Sequence, residues 1–512
     1  MTAPETQAGS EGTGNDDNLA RQVYDHYGEP DLTPVIDAQP LIATPGEFSV
    51  PAEFWATPRL QRVQTEAWAR DMRPEGLLAA VLARMTASLD PRVVIADTGK
   101  GPAPIHLFVA LIGSPGAGKT TTTQAAGMML GPGADAPLFH PATGEGLHAH
   151  YRERRRIELG EGRRDASGRG AKESVEVWVN RNGLGLIDEI ATLFNKASSH
   201  SQTLMSDLRA MWAGSAVGTT TKSVESRLSV PAMGYRISLL AGAQISLAAR
   251  LLGVDLRGDG TFQRFMLMPV WMDENEFVDG HTPMSPQDWE NPANALWPNI
   301  PVLEDLTRKP LGADRETIPA TECVVVCVPE HIRAELKAAR RRGQALDAVG
   351  DIGHAAYNRL RWAAALAIFE ERLEIRDEDW KRAGMLMALS GQVVELIEDV
   401  RDRAASEQAS RDGVLQAGRD AARNSLPELS RRCAKEILRI VDQHASEGTH
   451  DALKGCTKRC IRVLTRGLAP LRDATLATLV AGGELDLVGT AGARGARYVR
   501  RASDGGEGGH DA

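Results

Sequence analysis

The 512-residue sequence predicts an α/β fold: strands of a parallel sheet alternating with helices, then a helical region and a small basic domain. Three stretches predict it. Leu107 to Ile112 is an apolar, β-branched run that ends at Gly113 and turns through Ser114-Pro115-Gly116-Ala117-Gly118 into Lys119-Thr120-Thr121 and an Ala/Met-rich helix. Leu184 to Ile187 is a second apolar strand, closed by Asp188 and Glu189. Tyr235 to Ala241 is a third, ending Ala241-Gly242-Ala243-Gln244. Apolar strands spaced by helical patterns mark βαβ units.

The first stretch carries the most chemistry. Gly116 and Gly118 let backbone N–H groups curl around an anion, where a side chain would obstruct the approach. Lys119 supplies a point charge for the β- and γ-phosphates of a nucleotide, and Thr120 a hydroxyl for Mg²⁺. The helix that starts there turns its positive end to the anion. Strand, glycine turn and helix are the setting in which this pattern is a P-loop. Gly113, Ser114, Pro115, Gly116, Ala117, Gly118, Lys119, Thr120 and Thr121 are therefore the candidate contacts of ATP with Mg²⁺.

A P-loop needs acidic partners, and sixty-nine residues separate Lys119 from the Asp188-Glu189 strand end. Asp188 suits the Mg²⁺ shell, and Glu189 suits orienting and deprotonating an attacking water. Gln244, at the tip of the third strand, is a candidate γ-phosphate sensor or else a plain cap. Further on, GDGTFQRF (Gly258 to Phe265) leads into the apolar strand Met266 to Val270. Arg264 thus stands just before a strand. It either reaches a phosphate, in its own subunit or a neighbour's, or pairs with Asp255 or Asp259 on the surface.

Composition is that of a globular protein, with 42% hydrophobic and 25% charged residues. No apolar run reaches the length of a bilayer span, and the N-terminus is acidic where a signal peptide would be basic, so a cytoplasmic protein without membrane partners is expected. Five cysteines, spread from Cys323 to Cys460, do not form a disulfide framework. The net charge of −9 conceals an asymmetry. Residues 1–50 carry nine Asp/Glu against the single Arg21, whereas residues 431–501 carry fourteen Lys/Arg against seven Asp/Glu. A tail near +7 inside an acidic protein points to a polyanion, although a solvated basic face has the same composition.

Taken in order, residues 1–50 read as a disordered or extended acidic arm, and 51–100 as a helical segment with apolar spacing from Leu60 to Met85. Residues 101–330 form the α/β core, 331–425 a helical subdomain, 426–502 the basic domain and 503–512 a disordered tail. Within the core, Arg152 to Lys172 threads eight basic residues through glycines. It reads as a solvated loop that either grips a phosphate backbone or is a plain insertion. Val175 to Val179 and Leu184 to Ile187 flank Asn182-Gly183, a tight-turn signal. Pro283 to Pro319 is proline-rich and reads as irregular, and Glu322 to Val328 as a strand. Asp377 to Arg403 reads as a helix, and His354 as a structural histidine on a core helix.

The tail reads as three helical regions (Cys433 to Gln443, Asp451 to Leu464, Leu468 to Val480) followed by a hairpin of Glu484 to Val488 with Ala496 to Arg500. That order resembles a winged helix. Arg459, Arg462, Arg466 and Arg472 on or beside the helices, with Arg494 and Arg497 on the wing, are the candidate DNA contacts, although such a module also docks proteins. His444, His450, Cys456 and Cys460 lack a structural zinc spacing; Cys456 and Cys460 read as neighbours one helical turn apart.

Taken together, GSPGAGKT, LIDE (Leu186 to Glu189), GTFQRF, the helix RLRWAAALAIFEERLEIRDEDW and the basic tail resemble the P-loop ATPases of bacterial prophages, plasmids and integrative elements, over roughly residues 50–500. The resemblance implies a RecA-like core, a helicase or helicase-like role in replication of a mobile element, a ring (possibly a hexamer) of identical subunits, and DNA as partner. It gives Lys119, Thr120, Asp188, Glu189 and Arg264 nucleotide roles. Glu145, in TGEGL after the P-loop helix, competes with Glu189 as the catalytic glutamate. With no primase domain before residue 50, priming is expected to be absent or to come from a separate primase-polymerase.

Overall fold

The computed structural model describes residues 48–99, 101–158, 172–190, 192–193, 202–218, 228–245, 247–248, 260–344, 352–446, 456–457, 461, 469–488 and 497–501. The acidic arm up to residue 47 and the tail 503–512 lie outside the described residues. Two compact units divide the chain between Arg403 and Ala404.

The first unit begins with helices α1 (Pro58–Ala69) and α2 (Pro74–Ser88). Thr57 caps α1 by accepting from Leu60 N at 3.4 Å, and Pro58 at the first position has no N–H to leave unsatisfied. Helix α2, with the sequence PEGLLAAVLARMTAS, is buried almost all round, as a helix apolar on every face must be. Strands β1 (Val93–Ile95), β2 (Ala103–Pro104) and β3 (Phe108–Ile112) follow, then α3 (Lys119–Leu130), β4 (Leu138–Phe139) and α4 (Gly144–Tyr151). Next come β5 (Arg152–Glu158), β6 (Lys172–Trp178), β7 (Asn182–Ile187), α5 (Gln202–Trp212), β8 (Val217–Gly218), β9 (Ser229–Val230), β10 (Arg236–Ala243) and β11 (Phe265–Pro269). The unit continues through α6 (Pro286–Glu290), α7 (Pro301–Arg308), β12 (Val324–Val326), α8 (Glu330–Gly343) and α9 (Ile352–Phe369) into the long helix α10 (Asp377–Ser446).

The central sheet has five parallel strands in the order β11-β3-β10-β7-β4. All five strands therefore end on the same edge, where chain turns after them are brought together. Helix α2 packs across β3, β7, β10 and β11 and against α3. The segment 51–100 is thus part of the core rather than a separate helical segment, and one hydrophobic cluster runs from Phe48 to Ile397.

Several sequence expectations change here. Arg152 to Glu158 is a strand rather than a solvated loop, paired antiparallel with β6 from Arg152↔Trp178 to Glu158↔Lys172. Residues 159–171 lie outside the described residues. Alternating side chains across a ribbon let Arg152 turn inward, 1% exposed, with its guanidinium 5.0 Å from the Trp178 ring centre. The Asn182-Gly183 turn makes no hairpin, because β7 pairs with β10 and β4 while β6 pairs with β5. The Pro283 to Pro319 stretch holds α6, capped by Ser285, and α7. Strand β12 joins β1 and β2 in a second sheet instead of extending the central one. Asp377 starts a 70-residue helix that runs past the expected end at Arg403 and continues through Gly413, Gly418 and Pro427, residues that disfavour a helix interior.

Near its start this helix is tied to the core by Asp379, which is fully buried and receives Arg372 Nη1 and Nη2 at 2.7 Å each and Arg376 N at 2.8 Å. Removing one partner of such a pair strands the other's charge. Asp379→Ala is expected to cost about 3–5 kcal/mol in urea denaturation. A midpoint unchanged from wild type would show that the pair contributes nothing.

The second unit holds the end of α10, β13 (Cys456–Thr457), α11 (Ala469–Ala481), β14 (Leu485–Val488) and β15 (Arg497–Arg500). Its own core contains Cys433, Ile437, Ile440, Val441, Leu471, Leu476 and Leu485. The expected third helix and hairpin are present, β14 pairing antiparallel with β15. The expected helix over Asp451 to Leu464 is not continuous: Cys456-Thr457 pairs with Tyr498-Arg497 as a third strand, so Cys456 does not sit on a helix beside Cys460. Cross-strand pairing and burial of Cys456 override the local pattern there. Among the described residues no helix is long and apolar enough to cross a membrane.

Candidate functional site

The site forms where β3 and β7 end on either side of β10. Gly113 N donates to Ala243 O at 3.0 Å, and Val270 N to Ile112 O at 2.9 Å, so the turn leaves β3 held between its two neighbours. A Cβ at Gly113 would stand 2.8 Å from Val270 Cγ2 and 2.9 Å from Ala117 Cβ, which explains glycine at the bend. Gly116 and Gly118 have φ of +84° and +83°, the left-handed region that L side chains avoid. Successive turns of this kind point N–H groups inward, towards an anion, and Ser114, Pro115 and Gly116 are exposed around the opening. Gly118 caps α3. Its carbonyl accepts Thr122 N (2.8 Å), Thr122 Oγ1 (2.8 Å) and Thr121 Oγ1 (2.8 Å). Thr120 is exposed at the first turn.

Lys119 Nζ donates to Gly113 O at 3.0 Å and Ser114 O at 2.8 Å, which folds its ammonium back over the loop. Partial burial pushes its pKa below the usual lysine value, opposed by the nearby Glu189 carboxylate. Glu189 is half-buried, and its Oε1 is buried with no hydrogen-bond partner among the described residues. Its backbone carbonyl receives Thr192 N at 3.0 Å and Thr192 Oγ1 at 2.8 Å, which starts the next turn and aims the chain away from the strand. Asp188 is exposed beside it. The ammonium, the unsatisfied carboxylate oxygen and the left-handed turn therefore share one edge of the sheet.

Gln244 follows β10 at the same edge, half-buried, and its carbonyl accepts Leu247 N (3.0 Å) and Ala248 N (2.7 Å). Its backbone thus does the capping. Glu145 lies in the first turn of α4, exposed, after Thr143 caps that helix by accepting Gly146 N at 3.0 Å. It follows β4, one strand beyond β7, so of the two glutamates Glu189 is the one whose charge reaches Lys119.

Arg264 is elsewhere. Phe265 pairs with Phe108 at the start of both strands, so Arg264 precedes β11 at the sheet edge opposite the Gly113–Thr120 turn. Five residues of strand put about 16 Å between those edges, which removes the expectation that Arg264 serves its own loop. Asp255 and Asp259, its suggested surface partners, lie outside the described residues.

A residue that sequence reasoning passed over is Gly242. A Cβ there would stand 2.5 Å from Asp188 O and 3.5 Å from Lys119 Cδ, so only glycine lets the acidic strand end and the lysine close on β10. The available signal was a glycine inside an apolar strand, which marks close backbone approach. For a hard cation the site offers the Thr120 hydroxyl and Asp188. Among the described residues no group of three or more His, Cys, Asp or Glu forms a metal cage. Magnesium is held through one or two carboxylates plus its substrate's phosphates, so this sparse set fits it.

Of the candidate DNA contacts, Arg459, Arg462, Arg466 and Arg494 lie outside the described residues. Arg472, on α11, donates Nε to Asp473 Oδ1 at 3.1 Å, and Arg497 is half-buried on β15. Neither a protein-family model nor a curated protein matches this chain.

Proposed function

We propose that the chain is a magnesium-dependent ATPase of RecA-like type that works as a DNA helicase or translocase in replication of a mobile genetic element. One observation carries the nucleotide part: the left-handed turn, Lys119 and the unsatisfied Glu189 oxygen lie on one edge of a parallel sheet. In this reading backbone N–H groups of 116–120 bind the phosphates and Lys119 offsets charge on the β- and γ-phosphates. Glu189 accepts a proton from the attacking water. Thr120 and Asp188 hold magnesium, which when bound neutralises phosphate charge. Arg264 of one copy completes the site of the next in a ring.

The DNA part rests on the net charge of about +7 over residues 431–501 and on the resemblance of the tail to a winged helix. Single-stranded DNA is expected to raise ATP turnover at least several-fold, with the stimulation falling steeply as salt rises. No change in turnover or assembly with DNA would sink the motor reading. The runner-up, an ATP-switched initiator or regulator that binds DNA without unwinding it, draws on the second unit having its own core. It predicts duplex binding with no strand displacement.

A further inference from the structure

Helix α8 carries two stripes. Ile332, Leu336 and Ala339, spaced i, i+4 and i+7, are buried and hold it on the core. Arg333, Lys337, Arg340 and Arg341, spaced i, i+4, i+7 and i+8, run along the flank beside them. Lys337, Arg341 and the adjoining Arg342 are exposed. At the rise of an α-helix, Arg333 to Arg341 covers about 12 Å.

Among the described residues no carboxylate pairs with any of these five side chains. The hydrogen bonds of the two half-buried arginines go to backbone carbonyls. Arg333 Nε donates to Val328 O at 2.9 Å, and Arg340 donates Nη1 to Gly99 O at 3.0 Å and Nη2 to Thr98 O at 2.9 Å. Nearby acids are turned elsewhere. Asp97 Oδ1 accepts Gly99 N at 2.6 Å and Gly101 N at 2.8 Å, and Glu335, on the other flank of α8, receives Arg359 Nη1 at 3.1 Å and Trp380 Nε1 at 2.9 Å. Glu330 stands at the head of the stripe, in the first turn.

The fold does not account for this row. A helix C-terminus favours Arg340, Arg341 and Arg342 in the last turn, but that effect fades within the turn and does not reach Lys337. Like charges at i and i+4, as at Lys337 and Arg341, destabilise a helix. The second unit behaves differently: Arg472 pairs with Asp473 at 3.1 Å, Arg500 with Asp442 at 3.4 Å and Arg501 with Asp486 at 3.2 Å.

We propose that this flank of α8 is a contact surface for the phosphodiester backbone of DNA, with Lys337 and Arg341 as its central cations. A strand of duplex advances about 3.4 Å per phosphate, so the stripe spans roughly three to four phosphates. Contacts of this kind set position without reading bases, so the surface is independent of sequence. The proposal rests on the reading of DNA as partner and adds a contact on the first unit.

The test follows anisotropy of labelled single-stranded and duplex oligonucleotides with the full chain through a salt titration. For Lys337→Gln/Arg341→Gln at about 0.1 M salt, Kd is expected to rise about tenfold. The slope of log K against log salt should fall by about 1.4 on single strands or about 1.8 on duplex, two phosphate contacts in either case. The form of DNA that shows the drop is the one the surface holds. Lys337→Arg/Arg341→Lys should keep the wild-type slope, and the thermal melt of both variants should match wild type, since the side chains are exposed and unpaired. A wild-type slope for the glutamine variant on both forms overturns the proposal and leaves the DNA reading standing. A drop shared by the charge-preserving variant marks a distorted helix and also overturns it. If the wild-type chain binds neither form, the DNA reading and this surface fail together, and binding to phosphatidylserine vesicles that the glutamine variant loses would assign the flank to a lipid surface instead.

Discussion

Lys119→Ala is expected to abolish ATP turnover, lowering it by about two to three orders of magnitude, the effect of deleting one preorganised donor at developing charge. The ammonium sits over the loop on two backbone carbonyls, 3.0 Å from Gly113 O and 2.8 Å from Ser114 O. In the proposed reading the ammonium leaves these carbonyls for a phosphate. Stability should not suffer. Burial lowers the lysine pKa in the folded state, so the fold disfavours the charged form. That cost is present below the folded pKa and fades as pH rises through it towards the ordinary lysine value of 10.5, so alanine removes a small liability at neutral pH. Turnover and a thermal melt on the same preparation check both halves. Wild-type turnover in Lys119→Ala would remove the ATPase reading altogether.

Gly242→Val is expected to damage both fold and turnover. Its Cβ would meet Asp188 O at 2.5 Å, a backbone atom that can yield only if the end of β7 moves. Overpacking of this kind costs about 1–3 kcal/mol. Displacing the Asp188-Glu189 pair by an ångström from Lys119 is expected to lower kcat by about 10²-fold, since a misplacement of that size is enough to lose alignment. Urea denaturation and turnover measure the two effects separately. A variant that keeps wild-type turnover would show that the spacing of β7 and β10 at this point has no bearing on the chemistry.

Elements whose signals are local were legible in the sequence. The turn from β3 into α3, the strand closed by Asp188-Glu189, the buried run of β10 and the hairpin of β14 and β15 each declare themselves through neighbours within a few residues. Where longer-range pairing competes, reading failed. The basic stretch from Arg152 looks solvated until Lys172–Trp178 pairs with it, and Cys456-Thr457 looks helical until β15 claims it. The long helix hid its length because its polar middle has no apolar stripe to follow and carries Gly413, Gly418 and Pro427, which read as stops.

By itself the sequence determined the inventory of the site: a glycine turn able to take left-handed backbone angles, one lysine at its exit, and two carboxylates closing an apolar strand. These are properties of adjacent residues, set by sterics and charge along the chain. Only the tertiary structure decided their grouping. Insertion of β10 between β3 and β7 put Glu189 within electrostatic reach of Lys119, left Glu145 a strand further out and set Arg264 on the far edge beside Trp212 and Arg361. The reason is physical. Strand order follows from which apolar faces bury one another across separations of tens to hundreds of residues, and no local pattern encodes that choice.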